Sequence, residues 1–264
     1  MRRIRASPRS LPRRQTRDVR LTLVRNATLL LELDGRRLLV DPMLDPAGAR
    51  PPIENTANPR PNPLVELPRS PAELVEGLDA VVVTHLHRDH FDDTAARLLP
   101  RDVPVFCQPE DAPALAAHGL AVTPVETEVD WEGIRLVRTP ARHGEGETRR
   151  ALGPVSGFVI GEVYVAGDTI WCPEVRVVLD ERRPRVVVVN GSGARFLDSA
   201  PLVMTAAQVA EVTSHVPLVV VVHLEAINHC LETRAETRAA VPAALVPEDG
   251  ETIDLDAVLA ERVS

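Results

Sequence analysis

Residues 79–90 read Asp-Ala-Val-Val-Val-Thr-His-Leu-His-Arg-Asp-His, a short apolar run that stops abruptly in three imidazoles and a carboxylate. The Val-rich part reads as a strand buried on both faces. The polar residues lie in a loop ahead of 92–99, a segment of helical spacing that opens on a capping acid. In extended backbone, residues i and i+2 share a face, so His85 and His87 can reach one cation. The turn into the helix lets Asp89 and His90 reach another. Imidazole and carboxylate ligands suit zinc and also manganese or iron, with open positions left for water or substrate. A polar loop with incidental histidines is the competing reading, and the density of ligands weighs against it.

Working outward, 21–33 (LTLVRNATLLLEL) and 37–41 (RLLVD) are strand-like runs separated by a turn that contains Asp34-Gly35. Residues 42–71 hold too many prolines for a helix or a central strand, and a loop of that length often borders a binding site. Strand signals recur at 103–107, at Trp131–Val137, at Gly157–Ala166, at 185–189 (RVVVV) and at 216–222 (VPLVVVV). Helical spacing follows 103–107 and returns at Thr205–Ser214. Two strand-rich halves with covering helices predict an α/β fold, a four-layer αββα sandwich, over residues 21–264, with no linker that would divide it.

The stretch HLHRDH matches the pattern HxHxDH and resembles the metallo-β-lactamase superfamily. Further pieces follow in the family's order: Asp41 closing a strand in LLVD, His143 in TPARHGEG, Asp168 in VYVAGDT and His223 in VVVVH. The resemblance implies that His85, His87 and His143 bind a first metal, that Asp89, His90 and His223 bind a second, and that Asp168 bridges them. Asp41 would act on a ligand imidazole through a hydrogen bond. His229, in HLEAINHC, could stand in for His223, although the strand-end position favours His223. The phrases DPAGARPP, GPVSGF, GDTIWCPEV and HLEAINHC resemble the branch that includes L-ascorbate-6-phosphate lactonase.

The implied cofactors are two divalent ions, Zn2+ first, with Mn2+ or Fe2+ as alternatives. Such a pair lowers the pKa of a bridging water towards about 7 and supplies hydroxide without a protein base. The implied activity is hydrolysis of a lactone, ester or phosphodiester of a small molecule. Asp89, Asp168 and His229 are the candidate catalytic groups, and Trp171, Glu225, Asn228 and the Pro-rich loop are candidates for shaping the pocket. A mononuclear iron oxygenase or redox protein on the same scaffold, a nuclease, and a metal-sensing protein are the rival readings.

Composition narrows these. Residues 1–20 carry eight Arg and one acid, whereas the rest carries 22 Arg against 37 acids and no lysine occurs. The body therefore lacks the basic footprint of a nucleic-acid enzyme, and residues 1–20 read as a disordered extension. Three separated cysteines (Cys107, Cys172, Cys230) argue against a disulfide framework and read as buried thiols. No apolar run is long enough for a membrane span and no secretory segment is evident, so a cytoplasmic location is expected. No stretch marks a self-association face, and a homo-oligomer is left open.

Overall fold

A computed structural model describes residues 19–263. The Arg-rich extension lies outside them apart from Val19 and Arg20, which open the first strand rather than precede it. The first half runs β1 (Val19–Arg25), β2 (Thr28–Leu33), β3 (Arg36–Val40), α1 (Pro71–Val75), β4 (Ala80–Val83), α2 (Asp93–Leu98), β5 (Pro104–Cys107), α3 (Ala112–Ala117) and β6 (Ala121–Pro124). The second runs β7 (Glu128–Trp131), β8 (Ile134–Pro140), α4 (Gly146–Leu152), β9 (Ser156–Ile160), β10 (Val163–Val165), α5 (Pro173–Arg182), β11 (Val186–Asn190), α6 (Ala206–Thr213) and β12 (Leu218–Val222). Then come α7 (Arg234–Ala240), β13 (Thr252–Asp254) and α8 (Leu255–Val263).

Among the described residues these form a seven-stranded sheet, β13-β1-β2-β3-β4-β5-β6, and a six-stranded sheet, β12-β11-β10-β9-β8-β7. The valine runs explain why two sheets stack between two helical layers. Alternate side chains of a strand point to opposite faces, so Val186, Val188 and Val220 meet Leu21, Leu38 and Val82 in the core between the sheets. Their neighbours Val187, Val189 and Val221 turn outward onto Val175 and Leu179 of α5 and Val209 of α6. On the other side Val81, Val83 and Val105 pack under Leu74, Ala95 and Leu115 of α1, α2 and α3. The fold is therefore the αββα sandwich that the pattern predicts.

An ionisable group inside these runs would cost several kcal/mol unless paired, so polar residues begin where strands end. Asp41 follows β3, Thr84 follows β4, Asn190 ends β11 and His223 follows β12. Parallel pairing of β3 with β4 and of β11 with β12 brings these carboxyl ends together at one edge of the sandwich, where open α/β sheets bind ligands.

Two sequence readings change. The run 21–33 is not one strand: it turns at Asn26, whose φ of 58° lies in the left-handed region, and returns as β2, antiparallel to β1. Asn tolerates that conformation, and the polar pair Arg25-Asn26 in an otherwise apolar run was the signal. The Pro-rich loop ends at residue 70, because Ser70 and Glu73 form a capping box with Pro71 at the first turn of α1. No helix among the described residues is long and apolar enough to cross a membrane.

Gly157 pairs with Thr139 where β9 crosses β8. A Cβ there would stand 2.7 Å from Ala166 O and Thr139 Oγ1 and 2.8 Å from Val165 O. Gly157→Ala should therefore lose about 1–3 kcal/mol of stability in urea denaturation, and an unchanged midpoint would show that β8, β9 and β10 yield without cost.

Candidate metal centre

The structure brings the seven side chains singled out by sequence into two groups that share one carboxylate. His85, His87, His143 and Asp168 form the first and Asp89, His90, Asp168 and His223 the second, with the ligand atoms of each group within 4.8 Å of one another. Asp168 Oδ2 faces His143 Nε2 at 3.4 Å and His85 Nε2 at 3.9 Å. Its Oδ1 faces His90 Nε2 at 3.2 Å and His223 Nε2 at 3.8 Å. Asp89 Oδ2 lies 3.3 Å from His223 Nε2. His229 belongs to neither group.

Hydrogen bonds from the far side of each ring decide which nitrogen faces inward. His143 Nδ1 donates to Leu202 O at 3.0 Å and leaves Nε2 towards Asp168. His87 is reversed: its Nε2 donates to Leu152 O, and its Nδ1 stands 3.0 Å from His85 Nε2. His90 Nδ1 donates to Asp41 Oδ2 at 2.8 Å. The same carboxylate accepts from Thr84 N and Thr84 Oγ1, both at 2.7 Å, and that hydroxyl in turn takes the Nδ1 proton of His85 at 3.0 Å. Asp41 thus orients one imidazole in each group. His223 has no carboxylate behind it; its Nδ1 faces Cys230 Sγ at 3.3 Å and Ser192 Oγ at 3.4 Å.

The donor set fits divalent cations. His90 Nε2 and His223 Nε2 are buried with no hydrogen-bond partner, a condition that costs about 1–3 kcal/mol for each atom and that a bound ion would relieve. Burial alone would raise the carboxyls of Asp89 and Asp168, yet the facing imidazoles hold both well below the usual carboxylate range. Burial opposes a charge on His90, but Asp168 and Asp41 carry its pKa up to about 10.

Backbone strain collects here as well. Asp41 (φ 46°) and His223 (φ 66°) are non-glycine residues in the left-handed region, where strain typically marks functional positions. Three supporting residues escaped the sequence reading. Asn26 holds the ligand loop through Nδ2 to Asp89 O at 3.0 Å and its carbonyl to His223 N at 2.9 Å. Asn190 Nδ2 donates to Asp168 Oδ1 at 2.6 Å. Arg25 is fully buried and donates to the carbonyls of Met43, Asp45 and Val65, tying the turn after β1 to the Pro-rich loop. Cys107 and Cys172 are buried free thiols as expected, while Cys230 is partly exposed.

Above the two groups lies a cavity of about 550 Å³, walled by Pro51, Pro52, Ile53, Leu152, Phe196 and Ile227 among others, with His229 on its side. The other pocket candidates lie elsewhere. Trp171 packs on the outer helical layer and stacks on His215 at 5.4 Å. Glu225 is bound by Arg234 at 2.6 Å. Asn228 is buried behind the wall, where it donates to Ile53 O, Thr56 Oγ1 and Asn58 O and accepts from Asn62 Nδ2. It shapes the cavity by holding the loop.

Residues 36–242 match the beta-lactamase superfamily domain. The chain is 37% identical over 249 residues to the UPF0173 protein YddR of Bacillus subtilis, covering 88% of this chain and 98% of that protein. The chain belongs to the UPF0173 family. A UPF0173 metal-dependent hydrolase of Methanosphaerula palustris is 29% identical over 78% of this chain and 83% of its own length. Two solved structures superpose closely. A possible metal-dependent hydrolase from Veillonella parvula gives a TM-score of 0.85 at 31% identity, covering 90% of this chain and 99% of that one. An isothiocyanate hydrolase from Delia radicum gut bacteria gives 0.83 at 33%, covering 89% and 98%. The UPF0173 chain is thus a member of a metal-dependent hydrolase family on the metallo-β-lactamase fold.

Because Asp41 orients imidazoles in both groups, Asp41→Asn should weaken metal binding about 10- to 100-fold in chelator competition; unchanged affinity would remove Asp41 from the site. A second expectation concerns the loop that carries His143. Arg142 Nη2 bonds Glu174 Oε1 and Oε2 at 2.5 and 2.7 Å, and this hydrogen bonding holds the Glu174 carboxyl down at about 2 from an ordinary 4.5. A depressed carboxyl stabilises the fold above its unfolded pKa and loses that contribution as pH falls from about 4.5 through about 2. Glu174→Gln should therefore cost about 1 kcal/mol at pH 7 and almost nothing near pH 2; a cost independent of pH would refute the pairing.

Proposed function

We propose that this protein is a binuclear hydrolase that adds water to an electrophilic carbon in a small, largely apolar molecule: an ester, a lactone or an isothiocyanate. The observation that carries the reading is Asp168, buried and common to both ligand groups at the floor of an apolar cavity. Two divalent cations there, zinc first and manganese or iron as alternatives, would supply Lewis-acid activation and a water acidified towards a pKa of about 7. Asp168 would hold both ions and keep the attacking water in line, and Asp89 would take the second ion beside His223. His87 and His143 would bind the first ion, with their far nitrogens committed to Leu152 O and Leu202 O.

The cavity wall supports a neutral substrate over a phosphorylated one. Arg50 is engaged by Asp45 and Asp93, and Arg88 has 73% of its side chain exposed and lies 3.9 Å from Asp93. This weighs against phosphodiesters and against the ascorbate-6-phosphate lactonase branch. The isothiocyanate arm draws on the solved relative at 33% identity, and nucleic acid is disfavoured by the acidic body.

The test is metal analysis of protein purified without added metal, together with turnover of benzyl isothiocyanate, phenyl acetate, a γ-lactone and bis(p-nitrophenyl) phosphate, for wild type and His87→Ala. About two ions per chain, turnover of a carbon electrophile, and loss of both in the variant are expected. A metal-free chain indifferent to His87→Ala would sink the hydrolase reading, and preference for the phosphodiester would overturn the substrate class.

A further inference from the structure

We propose that His229 is a catalytic residue that meets the substrate itself: its imidazole donates a hydrogen bond to the heteroatom that gains negative charge as water adds to the neighbouring carbon. This role rests on the hydrolase reading above.

His229 is 4% exposed, and its Nδ1 is buried without a hydrogen-bond partner. It lines the cavity beside Asp89, His143 and Asp168 yet stands outside both ligand groups. A buried ring nitrogen left unpaired is costly, and a neutral imidazole always carries one N–H to give. The other polar side chains of the wall are mostly bonded within the protein or exposed. Asn62 exchanges hydrogen bonds with Asn228. Arg50 gives its Nε to Asp45 and an Nη2 N–H to Asp93, and Arg88 has 73% of its side chain exposed. The loop above offers little more: Pro51, Pro52 and Pro63 have no N–H, and Ile53 N already donates to Asn228 Oδ1 at 3.1 Å.

Among the described residues that line the cavity, charge appearing there therefore finds His229 as the uncommitted side-chain donor that is more than nine-tenths buried, Arg50 being less buried and bonded through Nε and Nη2. As the new C–O bond forms, the π pair of the C=O or C=N bond moves onto oxygen or nitrogen, and one proton of the attacking water passes to solvent. The His229 N–H stabilises that pair in place without itself being transferred. A donor fixed beforehand among apolar walls is the arrangement in which such a bond counts most.

The experiment compares wild type, His229→Ala and His229→Gln, which keeps an N–H, on the best carbon electrophile of the panel, with metal content and thermal midpoint measured on each. Binding of N-benzylacetamide, a neutral probe with an apolar arm and a carbonyl, is measured by calorimetry. His229→Ala should lower kcat about 100-fold, weaken amide binding and raise KM by a similar factor of about ten, and keep its full metal complement. His229→Gln should recover part of both losses. Unchanged kcat and amide affinity in His229→Ala, amide that fails to bind wild type, or loss of metal from the variant would each overturn the role. Wild type that holds its metals and turns over nothing would refute the hydrolase reading instead, and the amide affinities would still decide His229.

Discussion

Four buried imidazoles and two carboxylates can share one strand-end edge only because Asp168 sits among them. Its two oxygens divide the site: Oδ2 serves His85 and His143, Oδ1 serves His90 and His223. A single anion at 1% exposure offsets the repulsion that two cations in a low-dielectric edge would otherwise feel. The backbone is shaped to deliver it. Gly167, one residue earlier, has φ +66°, and a Cβ there would stand 2.7 Å from Ser156 O, so only glycine makes the turn that follows β10.

Support for the site passes through the ends of strands rather than through loops of their own design. Asp41 at the end of β3 reaches His90 directly and His85 through Thr84, so one carboxylate couples the orientation of the two groups. Rigid strand ends suit this task, because rings that ligate a metal must hold their tautomer and angle. The left-handed conformations of Asp41 and His223 are maintained by this surrounding structure: Thr28 Oγ1 donates to Asp41 O at 2.6 Å, and His223 N donates to Asn26 O at 2.9 Å.

The Pro-rich loop turns the same edge into a cavity. Proline removes backbone donors and limits φ, so Pro51, Pro52 and Pro63 offer the cavity no N–H, and Asn228 anchors the loop by five side-chain hydrogen bonds from the opposite half of the chain. Discrimination between substrates then falls to the apolar wall and to the few polar groups left free on it.

The ligand loop was legible because its information is local: His85 and His87 are separated by one residue on a strand end, and Asp89 and His90 by the first turn after it. Valine runs that alternate between two faces likewise announced sheets covered on both sides. The turn at Asn26 was missed because an apolar run shows no period that distinguishes one strand from two. Asn26 with Asp89, Asn190 with Asp168, and Asn228 with Asn62 lie 63, 22 and 166 residues apart, and no local rule relates such positions. The chain alone therefore specified its layers and its metal-seeking residues, since periodicity and ligand spacing act over a few residues. Which nitrogen of each imidazole faces inward, which polar side chains are consumed by the frame, and that Nδ1 of His229 remains unpaired followed only from packing, because hydrogen-bond partners are allotted by distance in space.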